Sequence, residues 1–243
     1  MSAPPYSIEI VPDAAALARR AAEIFTEAAG AAIRERGRFH VALSGGSTPR
    51  AAYELLASEE YAEQLDWEQI HVWWGDERCV PPEDPASNYR LAHEALLSKV
   101  PIPTANVHRM RGELDPEAAA AAYAAELAAH FGEQLRFDLV LLGLGEDGHT
   151  ASLFPGSAAL KERQRWVATN WVDGLDSWRL TLTYPAINAS RRAVFFVAGA
   201  PKAGILRAVL ADEQGHYPAS RVRLADGKLI WLVDEAAGGE LTR

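Results

Sequence analysis

The chain of 243 residues has one cysteine, Cys79, so no disulfide can close within it. That suits a reducing compartment. No apolar run approaches the ~18 residues that a membrane-spanning helix needs. The segment Met1 to Pro12 has no basic stretch followed by an apolar one, and it does not read as a signal peptide. No Lys/Arg-rich block interrupts the net charge of −9, which speaks against general nucleic-acid binding. No glycine- or serine-rich linker divides the sequence and no repeat recurs in it. These absences predict a cytoplasmic protein, folded as a single domain over residues 1–243 and monomeric by default, with no membrane or nucleic-acid partner. An acidic protein can still hold an anionic ligand, provided that cations and amide donors gather locally.

What is present is average for a folded domain: 49% hydrophobic and 23% charged residues, in a chain long enough to bury a sizeable core. Short apolar strands alternate with helical segments. Strands are expected at Ser7–Val11, Phe39–Leu43, Ile70–Trp74, Asp138–Leu142, Arg179–Thr183, Ala193–Val197 and Leu229–Val233. Asp13 is placed to cap a long alanine-rich helix ending near Arg36. Further helices are expected at Pro49 to Ala57, from Ser87 or Asn88 to about Leu97, at Glu117–His130, and from Pro201 to Leu210. Buried strands separated by helices imply an α/β fold of the doubly wound type, with a mainly parallel sheet covered on both faces. Ligands of such sheets bind at the carboxyl ends of the strands.

The loop after Phe39–Leu43 reads Ser44-Gly45-Gly46-Ser47-Thr48-Pro49. Two glycines permit close backbone approach, three hydroxyls add donors, and the following helix points its positive end at the same space. This is a phosphate cradle or, more plainly, a strand-to-helix turn with a capping serine. It is not a Walker loop, which needs Gly-Lys-Ser/Thr, nor a Gly-x-Ser-x-Gly nucleophile elbow. After Ile70–Trp74 come Asp76, Glu77 and Arg78. A carboxylate there can hold a sugar hydroxyl, and the guanidinium can hold a phosphate or an oxyanion; a solvated charged turn is the plain alternative. Trp73 and Trp74 are expected in the core, and Cys79 is expected to be inert.

The segment Leu142-Gly143-Leu144-Gly145-Glu146-Asp147-Gly148-His149-Thr150 contains Gly-x-Gly-x-x-Gly. A dinucleotide site is rejected because the motif comes late in the chain, acids occupy Glu146 and Asp147, and no acid follows about 20 residues on. The glycines instead supply a flexible backbone that sets Asp147 and His149 at a strand end, where the carboxylate can orient the imidazole for acid–base work. Arg179 begins a later strand. Lys202 sits at a strand-to-helix junction, where a cation opposes the helix dipole unless an anion is bound. The seven histidines are scattered, His93-Glu94 is no zinc-protease motif, and no Cys/His cluster has metal spacing.

Taken together, LSGGSTP (Leu43–Pro49), GDERCVP (Gly75–Pro81) with SNYRLAHEALL (Ser87–Leu97), LGLGEDGHTASLFPG (Leu142–Gly156), RLTLTYPAIN and AGAPKA occur in an order that resembles the 6-phosphogluconolactonase family, within the wider glucosamine-6-phosphate isomerase/deaminase group. The resemblance implies a three-layer α/β/α Rossmann-like fold. It implies hydrolysis of 6-phospho-D-glucono-1,5-lactone to 6-phosphogluconate in the oxidative pentose phosphate pathway, with neither metal nor organic cofactor. On that reading His149 is the general acid/base and Asp147 its support. Ser44, Gly45, Gly46, Ser47, Thr48, Arg179 and Lys202 take the phosphate, with Arg78 as a further cation for it, Asp76 takes sugar hydroxyls, and the amides of Gly145–Gly148 or Arg78 take the oxyanion. Deaminases of the group look like Asp-Glu-Tyr in the second block and Gly-His-Ile-Ala-Phe-Asn-Glu-Pro in the third. This sequence has Asp76-Glu77-Arg78 and lacks the glutamate, which favours lactone hydrolysis over amine chemistry. A sugar-phosphate-binding regulator is a third reading; the lack of an appended helix-turn-helix segment and the Asp147/His149 pair count against it.

Overall fold

The computed structural model describes residues 6–239 and 241. Strand β1 (Tyr6–Val11) leads into α1 (Ala14–Arg36), β2 (Phe39–Leu43), α2 (Ser47–Leu56), a short α3 (Glu59–Ala62), β3 (Ile70–Trp74) and a three-residue β4 (Asp76–Arg78). Next come α4 (Asn88–Ala92), α5 (Pro116–Phe131), β5 (Leu139–Gly143), β6 (Val167–Val172), β7 (Ser177–Leu182), α6 (Tyr184–Asn188), β8 (Arg192–Val197), α7 (Ala203–Leu210), β9 (Lys228–Asp234) and α8 (Glu235–Gly238).

Local chemistry accounts for many of these bounds. Asp13 accepts a hydrogen bond from the Ala16 amide at 2.8 Å and starts α1. Gly37, at φ 76°, ends that helix in the left-handed region. Ser87 Oγ accepts from the Arg90 amide and starts α4, whose continuation, His93–Leu97, widens into a π-helical turn. Asp115 and Pro116 open α5.

Six strands form one sheet in the order β1-β9-β8-β5-β2-β3, and every pairing in it is parallel. Successive strand residues face opposite sides of a sheet, and β2 shows what covers each. Phe39 meets Phe25 of α1 edge-on, with ring centroids 5.2 Å apart. His40, the next residue, meets Phe131 of α5 at 4.5 Å. Helices therefore lie on both faces, as the three-layer reading expects. The apolar face of α1, including Leu17, Ala21, Ile24, Phe25 and Ala28, is buried against this sheet. No helix of the described residues is long and apolar enough to cross a membrane.

Two expectations are corrected. Asp76–Arg78 is a strand rather than a loop, and the strand that carries Arg179 lies outside the parallel sheet. With β6, for which the sequence gives no expectation, these strands make a separate antiparallel sheet in the order β4-β7-β6. A three-residue strand reading Asp-Glu-Arg carries no apolar periodicity, so only its partner β7 reveals it. Trp73 and Trp74 are fully buried, as expected.

The direction in which successive strands are added reverses between the parallel neighbours β2 and β5. From β2 the chain goes outward to β3, and from β5 it goes the other way to β8. That leaves a crevice beyond the carboxyl ends of β2 and β5. The backbone there is held by a buried phenol: the Ser44 amide donates to Tyr53 Oη at 3.1 Å, and the Tyr53 hydroxyl donates to the Ser44 carbonyl at 2.8 Å. Tyr123 of α5 brackets Trp74 at the end of β3 in the same way, at 2.9 and 3.2 Å. Tyr53→Phe leaves a buried amide and carbonyl unpaired, and is expected to cost about 1–3 kcal/mol in urea denaturation. Tyr6→Phe, which removes only a 3.4 Å contact to the Leu210 carbonyl, is expected to cost less. Equal losses in the two variants would refute this role for Tyr53.

Candidate active site

A cleft of about 380 Å³ opens at the crevice between β2 and β5. Its wall includes Ser44, Gly45, Gly46, Ser47 and Thr48 from the loop after β2, Asp76 and Arg78 from β4, His149 from the loop after β5, Arg179 from β7 and Lys202 before α7. Ten of the eleven residues singled out in the sequence thus face one space. The eleventh, Asp147, stands behind His149.

The Ser44–Thr48 loop enters the ten-residue helix α2 directly. Gly46 has φ 109°, a conformation that suits glycine, and a Cβ on Gly45 would fall 1.8 Å from Asn88 Oδ1. Both glycines are therefore required by the backbone path and by the packing of Asn88. Ser44 Oγ is buried with no hydrogen-bond partner, so it is free to donate into the cleft. The amides of the first turn of α2 have no partners within the helix and point the same way.

His149 is held on two sides. Its Nδ1 lies 2.5 Å from Asp147 Oδ1, and its backbone amide donates to the same oxygen at 3.1 Å. The Phe154 ring packs against the imidazole with centroids 4.1 Å apart. The Asp147 contact engages Nδ1 and leaves Nε2 as the nitrogen available to a ligand. Partial burial works against the Asp147 charge, but the hydrogen bonds from His149 outweigh it and hold the carboxyl below its usual range. A Cβ on Gly145 would lie 2.1 Å from His149 Nδ1, so the first glycine after Leu144 is what lets the ring lie where it does. Ala151, at φ 48°, is a non-glycine residue in the left-handed region beside the ring. Two amides of the expected oxyanion donors are already engaged. Gly145 N donates to the His149 carbonyl at 2.9 Å and Gly148 N to the Gly145 carbonyl at 3.1 Å.

The cations share a feature. Arg78 and Arg179 face one another across the β4–β7 pair, where like charges repel. Burial, with the Arg78 charge beside it, pushes Arg179 below its ordinary value. Arg78 donates to the Ala86 carbonyl and Arg179 to Ser177 Oγ at 2.8 Å. Among the described residues no carboxylate pairs with Arg78, Arg179 or Lys202. Three cations without counter-ions on one cleft make a site for an anion with several charged oxygens.

Asp76 is buried at the cleft wall. Its Oδ2 accepts from Ser152 Oγ at 2.7 Å, and its Oδ1 from Asn88 Nδ2 at 3.2 Å. Each oxygen keeps lone-pair capacity for one further donor. Glu77, by contrast, points inward. It accepts from the amides of Arg78, Asn88 and Tyr89 and from Ser87 Oγ, at 2.7–3.0 Å. The turn of charges is thus not solvated: one acid faces the cleft and the other organises the start of α4. Sequence reasoning gave no role to Asn88 beyond capping and none to Ser152, yet both line the cleft and hold Asp76. Leu175, at the tip of the β6–β7 hairpin, also reaches the cleft, and no sequence signal marks it.

The family model described as glucosamine-6-phosphate isomerases/6-phosphogluconolactonase matches residues 12–231. The chain belongs to this family. It is 43% identical over 243 residues to a protein of Nostoc sp. named 6-phosphogluconolactonase, covering 97% of this chain and 98% of that one. It is 48% identical over 217 residues to the protein of that name from Synechocystis sp., covering 86% and 88%. The solved structure of 6-phosphogluconolactonase from Trypanosoma brucei superposes with a TM-score of 0.85 at 30% identity, covering 97% of this chain and 98% of that one. All four sequence blocks therefore fall inside the family match, and the fold that carries them is the family's.

Cys79 follows directly on the β4 strand. Burial is the main cause that pushes its thiol up to about 11; nearby Arg179 opposes the shift, and Glu77 and Asp115 add to it. The thiol form dominates at neutral pH, and only the thiolate is nucleophilic. As the single cysteine, Cys79 can be followed without ambiguity by iodoacetamide labelling and mass spectrometry. Labelling of the folded chain is expected to be slow near pH 7 and to climb about tenfold per pH unit above pH 8. A fast rate that is flat from about pH 7 to 9 would overturn this.

Proposed function

We propose that this chain is a 6-phosphogluconolactonase, hydrolysing 6-phospho-D-glucono-1,5-lactone to 6-phosphogluconate in the oxidative pentose phosphate pathway. The observation that carries the reading is the juxtaposition in one cleft of a carboxylate-supported imidazole with three cations that lack counter-ions. A phosphorylated sugar lactone needs both: a dianion holder at one end and an acid–base group at the carbonyl.

The phosphate is assigned to the Ser44–Thr48 loop, with the α2 amides, Ser44 Oγ, Arg179 and Lys202 around it. Binding energy gathered there fixes a small, reactive ring and orients its carbonyl. His149 Nε2 takes a proton from water as the water oxygen bonds to C1. The tetrahedral oxyanion that forms is assigned to Arg78, because two of the amides near His149 are consumed within their own turn. Collapse re-forms the carbonyl and breaks the bond between C1 and the ring oxygen, which receives the proton from His149. Asp147 holds the ring orientation and stabilises the imidazolium between these transfers. Asp76, with capacity for one more donor on each oxygen, takes sugar hydroxyls.

Amine chemistry of the deaminase kind has less support. In the Gly148–Pro155 octet the position of the deaminase glutamate is Phe154, whose ring packs on His149. An aromatic face cannot accept the imidazole proton as a carboxylate would.

Two outcomes follow for the hydrolysis of freshly generated lactone, with the spontaneous rate subtracted. His149→Ala is expected to lower kcat by about 10²–10⁴ while leaving KM within a few-fold. A loss of less than about tenfold would remove His149 as general base. Lys202→Ala is expected to raise KM about tenfold or more with a smaller change in kcat, as for loss of uniform binding. An unchanged KM would take Lys202 out of the phosphate site. Folded wild-type chain that releases ammonia from glucosamine 6-phosphate and leaves the lactone alone would overturn the whole reading.

A further inference from the structure

The histidines that are scattered in the sequence do not stay apart in the fold. His71 is the second residue of β3. His108 lies in the segment that runs beside β3, its amide donating to the Val72 carbonyl at 2.8 Å. His130 stands in the last turn of α5. One ring nitrogen from each lies within 4.8 Å of the other two. We propose that His71, His108 and His130 form a binding site for a divalent first-row transition-metal ion such as Zn²⁺, with Glu126 orienting His108 from behind.

The geometry is close to what such an ion requires. Zinc–nitrogen bonds of about 2.0–2.1 Å in a tetrahedron place the ligand nitrogens about 3.3 Å apart. His71 Nδ1 and His108 Nε2 are already 3.1 Å apart. Without an ion, the natural account of that distance is a hydrogen bond from one imidazole to the other; with an ion, both lone pairs turn to it. His130 sits half-buried at a helix end, with its ring centroid 5.6 Å from that of His71 and 4.5 Å from that of His108.

His108 is positioned as a metal-binding histidine is. Its Nδ1 lies 2.6 Å from Glu126 Oε1, so that nitrogen carries the proton and Nε2 presents its lone pair to the cluster. A carboxylate behind the ligating imidazole is the usual outer support of such ligands. Trp73 fixes the ring plane, stacking on His108 at 3.9 Å with 12° between planes. Glu126 and His130 are one helical turn apart on α5, so a single helix supplies both the support and the third ligand. Nitrogen-only donors select transition ions over Mg²⁺ or Ca²⁺, which take oxygen ligands. His40 stacks on His71 at 4.8 Å, but its Nδ1 accepts from Trp73 Nε1 at 3.2 Å and it stays outside the ligand set.

This place is separate from the cleft. His71 precedes Gly75 by four strand residues, about 13 Å at ~3.3 Å each, and it lies toward the opposite end of the sheet under α5. An ion there ties the edge strand β3 to the end of α5 and acts on stability.

The test uses the full chain without an affinity tag, stripped with a chelator and titrated with Zn²⁺, and separately with Mg²⁺, by calorimetry and thermal unfolding. One Zn²⁺ per chain, a raised Tm and no response to Mg²⁺ are expected. His71→Asn and His130→Asn are each expected to weaken Zn²⁺ binding at least tenfold. Glu126→Gln is expected to weaken it about 10–100-fold with the one-to-one ratio kept, and His93→Asn, at an exposed histidine, to leave it unchanged. Circular dichroism checks that each variant is folded. X-ray absorption of the Zn²⁺-loaded wild type, which needs no variant, is expected to show about three imidazole ligands. Absence of stoichiometric Zn²⁺ binding to the folded wild type, binding that survives both histidine variants, or a spectrum without imidazole ligands would each overturn the proposal.

Discussion

Two adjacent buried carboxylates, Asp76 and Glu77, hold this structure together at the point where its two sheets meet. The chain leaves the parallel sheet at Trp74 and enters the antiparallel one at Asp76. At that junction Glu77 accepts four hydrogen bonds from the start of α4 and from its own strand, while Asp76 ties Ser152 of the His149 loop to Asn88. Burial pushes the Glu77 carboxyl up, and the backbone amides pull back against that shift. Buried charges persist only where donors surround them. The donors here come from α4, β4 and the loop after β5, so satisfying the two acids fixes the relative placement of all three.

The cleft inherits its character from this junction. Arg78, next to Glu77, and Arg179, opposite it across the strand pair, are held near each other by backbone register. Asp76 and Glu77 nearby offset part of the like charge felt by Arg179 without forming an ion pair with it. Lys202 arrives independently, at the end of a single turn after Gly199, whose amide is bound by both oxygens of Asp234. Two of the three cations stand on paired strands and the third on a short turn, so fixed positive charge lines one side of the cleft. His149 is treated differently: it is supported by a carboxylate and an aromatic face, and it sits on a glycine-rich loop whose close packing at Gly145 leaves no room for a side chain.

The His149 loop, the Ser44–Thr48 loop and Lys202 were legible in the sequence because each sits where a strand gives way to a helix or turn, and such places carry glycines, hydroxyls and charges that punctuate apolar runs. Asp13 and Ser87 cap as their residue types require. Asn88, Ser152 and Leu175 were not legible as parts of the cleft. Asn88 reads as a helix start, Ser152 as one polar residue in a motif, and Leu175 as an apolar residue in a hairpin. β4 and β6 escaped for a related reason: strands of that length with charged or mixed residues are defined by the partner they pair with, not by their own pattern.

By itself the sequence determined the alternation of buried strands and helices, the helix caps, the glycine-bearing turns and the identity of the groups able to do acid–base work or hold a phosphate. Those properties depend on residues within a few positions of each other, and local backbone chemistry fixes them. Only the tertiary structure decided that β7 joins a second sheet, that Glu77 is buried while Asp76 faces the cleft, and that Arg78 opposes Arg179. It also decided that His71, His108 and His130, up to 59 positions apart in the chain, share one small volume. Each of these follows from pairing and packing between distant segments, where the energy belongs to the contact and neither partner's sequence specifies it alone.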